Sequence, residues 1–124
     1  MKVLLVDDEA ELVETLAERL IMRNITADWA TGGEEALFKA EKIPYDIAVL
    51  DVKMPGLSGI TLKKLLEQKN PGMKFIFMTG HGSEDDFHAG SMEAGQDYYL
   101  VKPVNIEDLI KKMNEVVSGT GGTK

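Results

Sequence analysis

The chain has 124 residues, no cysteine and a net charge of −7. That length suits one domain with a single core, and the missing thiols exclude a disulfide framework, a zinc–thiolate centre and a cysteine nucleophile. The acidic balance argues against direct nucleic-acid contact, which needs clustered Lys and Arg, and no apolar run approaches the roughly 18 residues of a membrane span.

Met1-Lys2 leads straight into Val3–Val6, a short aliphatic run without alternation, the pattern of a strand buried on both faces. This leaves no room for a signal peptide, so the expected compartment is the cytoplasm. From Ala10 to Met22 the residues Leu12, Val13, Leu16, Leu20 and Ile21 recur at helical spacing, and Asn24 is a stop signal. Thr26–Ala30 reads as a weaker strand with Ala27 and Trp29 on one face. Gly32-Gly33 breaks it, and Glu34–Lys42 forms a second helix around Ala36, Leu37 and Ala40 that Pro44 ends. Ile47–Leu50 is the next strong strand, with Met54-Pro55-Gly56 as a loop behind it. A third helix over Ser58–Gln68 presents Ile60, Leu62, Leu65 and Leu66, and Asn70-Pro71-Gly72 turns the chain into the strand Phe75–Met78. After Gly80-His81-Gly82, Ser83 caps a fourth helix whose first turn holds Glu84, Asp85 and Asp86, the favourable end for acids. Gly95 ends it. Tyr98–Val101 is the last strand. Asn105 caps a fifth helix with Asp108 at its third position and Ile106, Leu109, Ile110, Met113, Val116 and Val117 as its apolar set. The Gly-Ser-Thr tail, 118–124, packs no core and reads as a linker end or an expression remnant.

Strand and helix thus alternate five times, which argues for a parallel sheet covered by helices on both faces. Right-handed crossovers then bring the C-terminal ends of the strands to one edge, where open α/β sheets bind ligands. Asp7-Asp8-Glu9, Asp51, Thr79 and Lys102-Pro103 are the residues at those ends. Two carboxylates some 4 Å apart repel by about 4 kcal/mol at an effective dielectric near 20. A proton, a cation or a lysine relieves them. An all-oxygen site with two or three acids suits Mg²⁺. A carboxylate can also be a nucleophile that forms an aspartyl-phosphate, given a cation and a donor for the phosphoryl oxygens. Asp51, alone at its strand end, is the natural nucleophile. Asp7 and Asp8 are natural metal ligands, and Lys102 and the Thr79 hydroxyl natural partners of the phosphate charge.

Taken in order, the acidic pair after the first strand, Asp51 with Lys53-Met54-Pro55-Gly56 behind it, Thr79 and Lys102-Pro103 resemble the response-regulator receiver domain of two-component signalling, across about residues 2–117. The resemblance implies a flavodoxin-like, doubly wound five-stranded parallel sheet of order 2-1-3-4-5 with five helices, and a receiver domain over 1–117. It implies that Asp51 is the phosphoacceptor for a histidine kinase or phosphotransfer protein. Asp8, Asp51 and the backbone carbonyl of Lys53 would bind Mg²⁺, with Asp7 acting through a metal-bound water. Lys102 would contact the phosphoryl group from a cis Lys102-Pro103 bond. Thr79 would move toward the phosphate and Tyr99 would turn inward in step, switching the surface of the fourth helix, fifth strand and fifth helix. Such a domain catalyses only its own phosphorylation and dephosphorylation. An effector domain in a longer chain and a phosphorylation-dependent dimer stay open; a membrane role does not arise. Gly80 leaves a clear path to the phosphoryl group, and Lys53 and His81 stand where family members differ in dephosphorylation rate.

Each element alone has a plainer meaning. Asp7-Asp8-Glu9 is equally an acidic helix start, Thr79 a strand-end hydroxyl, Tyr99 a core ring, and His81 and His88 solvated residues. Two other functions compete. A Mg²⁺-dependent phosphohydrolase would want Asp-x-Asp at the nucleophile, where this chain has Asp51-Val52-Lys53. A degenerate receiver acting only as a binding module would not need the complete acid set.

Overall fold

The computed structural model describes residues 1–80 and 98–118. Five strands, β1 (Lys2–Val6), β2 (Thr26–Ala30), β3 (Ile47–Asp51), β4 (Lys74–Thr79) and β5 (Tyr99–Val101), pair in parallel in the order β2-β1-β3-β4-β5. The helices α1 (Ala10–Met22), α2 (Gly33–Lys42), α3 (Gly59–Lys69) and a C-terminal helix (Ile106–Ser118) cover the sheet. This is the expected doubly wound α/β fold with its expected strand order. The helix anticipated over 83–95 lies outside the described residues, as do His81, His88 and the tail beyond Ser118. The C-terminal helix runs through Ser118, one residue into the expected tail.

Period-two alternation along the strands builds two cores. Val3 and Leu5, Ile47 and Val49, and Ile76 and Met78 face α1 and the C-terminal helix, meeting Val13, Leu16, Leu20, Leu109 and Met113. Leu4 and Val6, Ala48 and Leu50, and Phe75 and Phe77 face the other way, onto Ala36 of α2 and Leu62 and Leu66 of α3. Both faces of β1 and β3 are therefore dry, which is why their sequences run aliphatic without alternation. Ala27 and Trp29 share a face of β2, as expected. Ile21 and Val117, anticipated within apolar sets, are instead exposed at 53% and 46%. Each sits one position past the i, i+3 or i+4, i+7 stripe in a last helical turn, where the packed face has rotated away.

Local chemistry explains the helix ends. Asn24 adopts a positive φ of 65° after α1, its N–H bonds the Ile21 carbonyl at 2.9 Å, and the Ile25 N–H bonds the Leu20 carbonyl at 3.0 Å. This is a Schellman closure with asparagine in the left-handed position. The Ser58 hydroxyl caps α3 by accepting the Thr61 N–H at 3.2 Å, and the Asn105 side chain accepts from the N–H groups of Glu107 and Asp108 at 2.7 and 3.2 Å.

One close approach ties α3 to the sheet edge. A Cβ on Gly59 would lie 2.1 Å from the carbonyl oxygen of Asp51, and the Gly59 N–H bonds the Val52 carbonyl at 2.9 Å. A Cβ on Gly33, at the start of α2, would instead be crowded by a loop side chain, Leu57 Cδ2 at 2.4 Å and Cβ at 2.8 Å, and the loop of Leu57 is not tied to the sheet as the Asp51 carbonyl is. Gly59→Ala should therefore cost about 2–3 kcal/mol through backbone displacement, and Gly33→Ala clearly less. Urea denaturation of both variants checks this; equal losses would contradict it.

Candidate functional site

Three polar residues are buried among the described residues: Asp7, Asp51 and Thr79, at 0%, 5% and 4% exposure. All three stand at the C-terminal edge of the sheet. The Asp7 N–H still bonds the Ala30 carbonyl of β2 at 3.2 Å, and the Lys102 N–H bonds the Thr79 carbonyl at 2.7 Å. The site residues are thus held by the last rungs of the sheet, not by free loops.

The alternation that sorts the two cores also sorts the site. Asp7 continues the series Val3, Leu5, and Asp51 continues Ile47, Val49, so both carboxylates point to the α1 side of the sheet. Thr79 continues Phe75, Phe77 on the opposite side, where Tyr99 also packs.

Lys102 joins the acids. Its Nζ lies 2.6 Å from Asp7 Oδ2, 3.2 Å from Glu9 Oε1 and 3.5 Å from Asp51 Oδ1. The buried Asp7 Oδ2 is held by this ion pair with the ammonium. The other Asp7 oxygen, Oδ1, accepts the Glu9 N–H at 2.9 Å. Asp8 is exposed, yet its carboxylate can place an oxygen within 4.8 Å of oxygens of Asp7 and Asp51. These three carboxylates are the described group able to hold a metal ion together, and oxygen donors of this kind fit a hard cation. The exposed Lys53 follows in the loop after Asp51.

The electrostatics are those of an over-filled acid cluster. Burial, then the charge of Asp7, raises the Asp51 carboxyl to about 6 against the partial relief from Lys102. Burial also raises Asp7, with Lys102 and the Glu9 N–H opposing the shift. For Lys102, burial pulls downward, but contact with Asp7, Asp51 and Glu9 outweighs it and the ammonium is held more firmly than usual.

Of the residues singled out from sequence, the fold therefore brings Asp7, Asp8, Asp51 and Lys102 into one cluster. Thr79 stands apart from the ion pairs, its hydroxyl donating to the Gly80 carbonyl at 3.5 Å. Tyr99 is buried, its ring centroid 6.4 Å from that of Phe77 at 58°. The Lys102–Pro103 bond is cis. Glu9, which in the sequence is one acid of a helix start, touches Lys102; its place next to the acid pair is the one signal of this in the sequence.

The family model described as the response regulator receiver domain matches residues 3–114. The chain is 34% identical over 122 residues to the two-component response regulator PhoP of Pseudomonas aeruginosa, covering 98% of this chain and 54% of that protein. It is 34% identical over 116 residues to the transcriptional regulatory protein ResD of Bacillus subtilis, covering 94% and 48%. The chain spans about half the length of these curated relatives. Among solved structures it resembles the Francisella response regulator 1452 receiver domain, with a TM-score of 0.80 and 33% identity over 96% of this chain and 98% of that one. A response regulator receiver domain from Clostridium thermocellum aligns with a TM-score of 0.84 and 29% identity, over 95% and 94%. No helix among the described residues is long and apolar enough to cross a membrane.

The raised Asp51 carboxyl carries a stability consequence. In the unfolded chain it titrates near its ordinary 3.8 and in the folded protein near 6, so the folded state holds the extra proton between those values. The resulting stabilisation is full below about pH 4 and is lost as pH rises through about 6. At pH 7 the metal-free protein bears the whole penalty, at most about 3 kcal/mol. Asp51→Asn should melt several degrees higher than the wild type at pH 7 without metal, and the gap should close toward pH 4. A gap independent of pH would contradict this account of the cluster.

Proposed function

The chain belongs to the response regulator receiver domain family, and from that membership we propose that Asp51 accepts a phosphoryl group from a histidine kinase or phosphotransfer protein in a Mg²⁺-dependent reaction. The observation that carries the reading is the buried acid cluster bridged by Lys102 at the sheet edge. Receivers are regulatory domains, and this one catalyses only its own phosphorylation and dephosphorylation.

In this reading Asp8, Asp51 and the Lys53 backbone carbonyl would hold the Mg²⁺, and Asp7 would act through a water. When bound, the ion offsets the repulsion among the carboxylates and the charge on the phosphoryl oxygens. The residues of the chain do the rest. Asp51 is ionised at neutral pH, and its carboxylate is the attacking group. Its carboxylate oxygen forms the new bond to phosphorus as the donor's bond to phosphorus breaks, and the leaving group departs with the electron pair. Lys102 neutralises the transferred group, and the Thr79 hydroxyl turns from the Gly80 carbonyl to a phosphoryl oxygen. Tyr99, expected to turn inward in step with Thr79, is already buried against Phe77 before any phosphoryl group arrives, and it holds that inward place as Thr79 moves.

The surface thereby altered includes β5 and the C-terminal helix; the fourth helix expected beside them lies outside the described residues. It controls a partner or an effector domain joined beyond the tail 118–124, with the receiver itself spanning 1–117. ResD carries the description of a transcriptional regulator, so control of transcription through an attached domain is the output proposed, with no nucleic-acid contact by this acidic domain. Dimerisation on phosphorylation and action in the cytoplasm complete the reading.

Incubation with Mg²⁺ and a small phosphodonor should add one phosphoryl group by intact-mass measurement. Asp51→Asn should add none, and Lys102→Ala should be phosphorylated at least tenfold more slowly, as expected for loss of a charge on the transferring group. Uptake by the Asn variant would falsify the assignment of Asp51.

A further inference from the structure

Glu9 occupies the N-cap position of α1 with extended backbone angles, yet its side chain makes no capping hydrogen bond. Ser, Thr, Asp or Asn is the usual choice there, and a filled cap stabilises by about 1 kcal/mol. The carboxylate instead reaches Lys102 across 93 positions of sequence, at 3.2 Å. Its backbone is pinned for that reach, because the Glu9 N–H bonds Asp7 Oδ1 while Asp7 Oδ2 holds the same ammonium. Asp7 and Glu9 together form a two-armed acceptor on the β1–α1 side of the site, and Lys102 Nζ sits nearer to both arms than to Asp51.

We propose that Glu9 is a positioning residue that tethers Lys102 away from Asp51, so that the phosphoryl group must draw the ammonium from a competing carboxylate. This rests on the functional reading above. The tether is weak by construction: the Glu9 side chain is 66% exposed, so solvent screens it and Lys102 can leave. Its second effect is to add negative charge beside the acid cluster, which favours a cation and disfavours an anionic phosphodonor.

Removal of the Glu9 charge should therefore speed phosphorylation yet weaken Mg²⁺ binding, a split that a merely structural residue would not produce. The test uses Glu9→Gln, with phosphoramidate as donor at saturating Mg²⁺; the P–N bond breaks as the Asp51 O–P bond forms, and the protonated nitrogen leaves as ammonia with the bonding pair. The phosphorylation rate should rise by about two- to fivefold, the scale of one partly exposed ion pair. Mg²⁺ affinity, read by calorimetry, should fall by about twofold. The ammonium signal of Lys102 in ¹H–¹⁵N NMR should move in the metal-free protein. Glu9→Ser, which fills the cap, should raise thermal stability and show the same faster phosphorylation. If Glu9→Gln is no faster than a wild type that does take up phosphoryl, the tether is overturned and the functional reading stands. A wild type that takes up none overturns both.

Discussion

One ammonium beneath two buried carboxylates is the interaction on which the rest depends. Asp7 and Asp51 are withdrawn from water, and Lys102 is placed to answer both. A single cation cannot neutralise two buried anions and the exposed Asp8 and Glu9 beside them. Burial raises both carboxyls, and at Asp51 the charge of Asp7 adds to it while Lys102 only partly offsets the rise. Breaking such a cluster by removing one charge ordinarily costs several kcal/mol when it leaves an unanswered charge buried. Here removing an acid should relieve the fold, because the acids are in excess. Retaining them makes sense for a site that exchanges its charge balance when a cation and a phosphoryl group arrive.

The sheet makes that arrangement possible. Parallel pairing places every strand's end at one edge, and β1 and β3, both central and dry on both faces, deliver Asp7 and Asp51 side by side with the same alternation. Around them the fold leaves little freedom. The Asp51 carbonyl is pressed by Gly59 at the start of α3, and the Val52 carbonyl takes the Gly59 N–H. The Asp51 carboxylate is therefore carried on backbone fixed from two sides, which is how a site keeps its geometry while its ligands change. Thr79 and Tyr99 lie across the sheet from the acids, so a signal that reaches them passes around the end of β4.

Much of this was legible from residue order because the physics is local. Aliphatic runs without alternation mark strands dry on both faces, and the centres of the helical stripes, Val13, Leu16 and Leu20, Ala36, and Leu62 and Leu66, are buried, with Leu12, Leu37, Ala40 and Ile60 half-buried at their flanks. Asp51 and Lys102 could be brought together because a parallel sheet has one C-terminal edge. The misses have the opposite character. Ile21 and Val117 fell off their packed faces by one helical position, a rotation that periodicity alone does not resolve. Gly59 looked like an ordinary helix start, since no local pattern reveals another strand's carbonyl at its Cα. Glu9 read as one more acid at a helix N-terminus, because its partner lies 93 residues away.

An acid cluster held in excess to receive a divalent cation should report that cation in its stability. Thermal midpoints of the wild type and Asp51→Asn, followed across Mg²⁺ concentrations up to about 10 mM at pH 7.5, address it most directly, since a ligand bound only by the folded state raises stability with its concentration. The wild-type midpoint should climb steadily with Mg²⁺ and the Asn variant should respond far less. A wild type indifferent to Mg²⁺, or an Asn variant that climbs equally, would contradict the account.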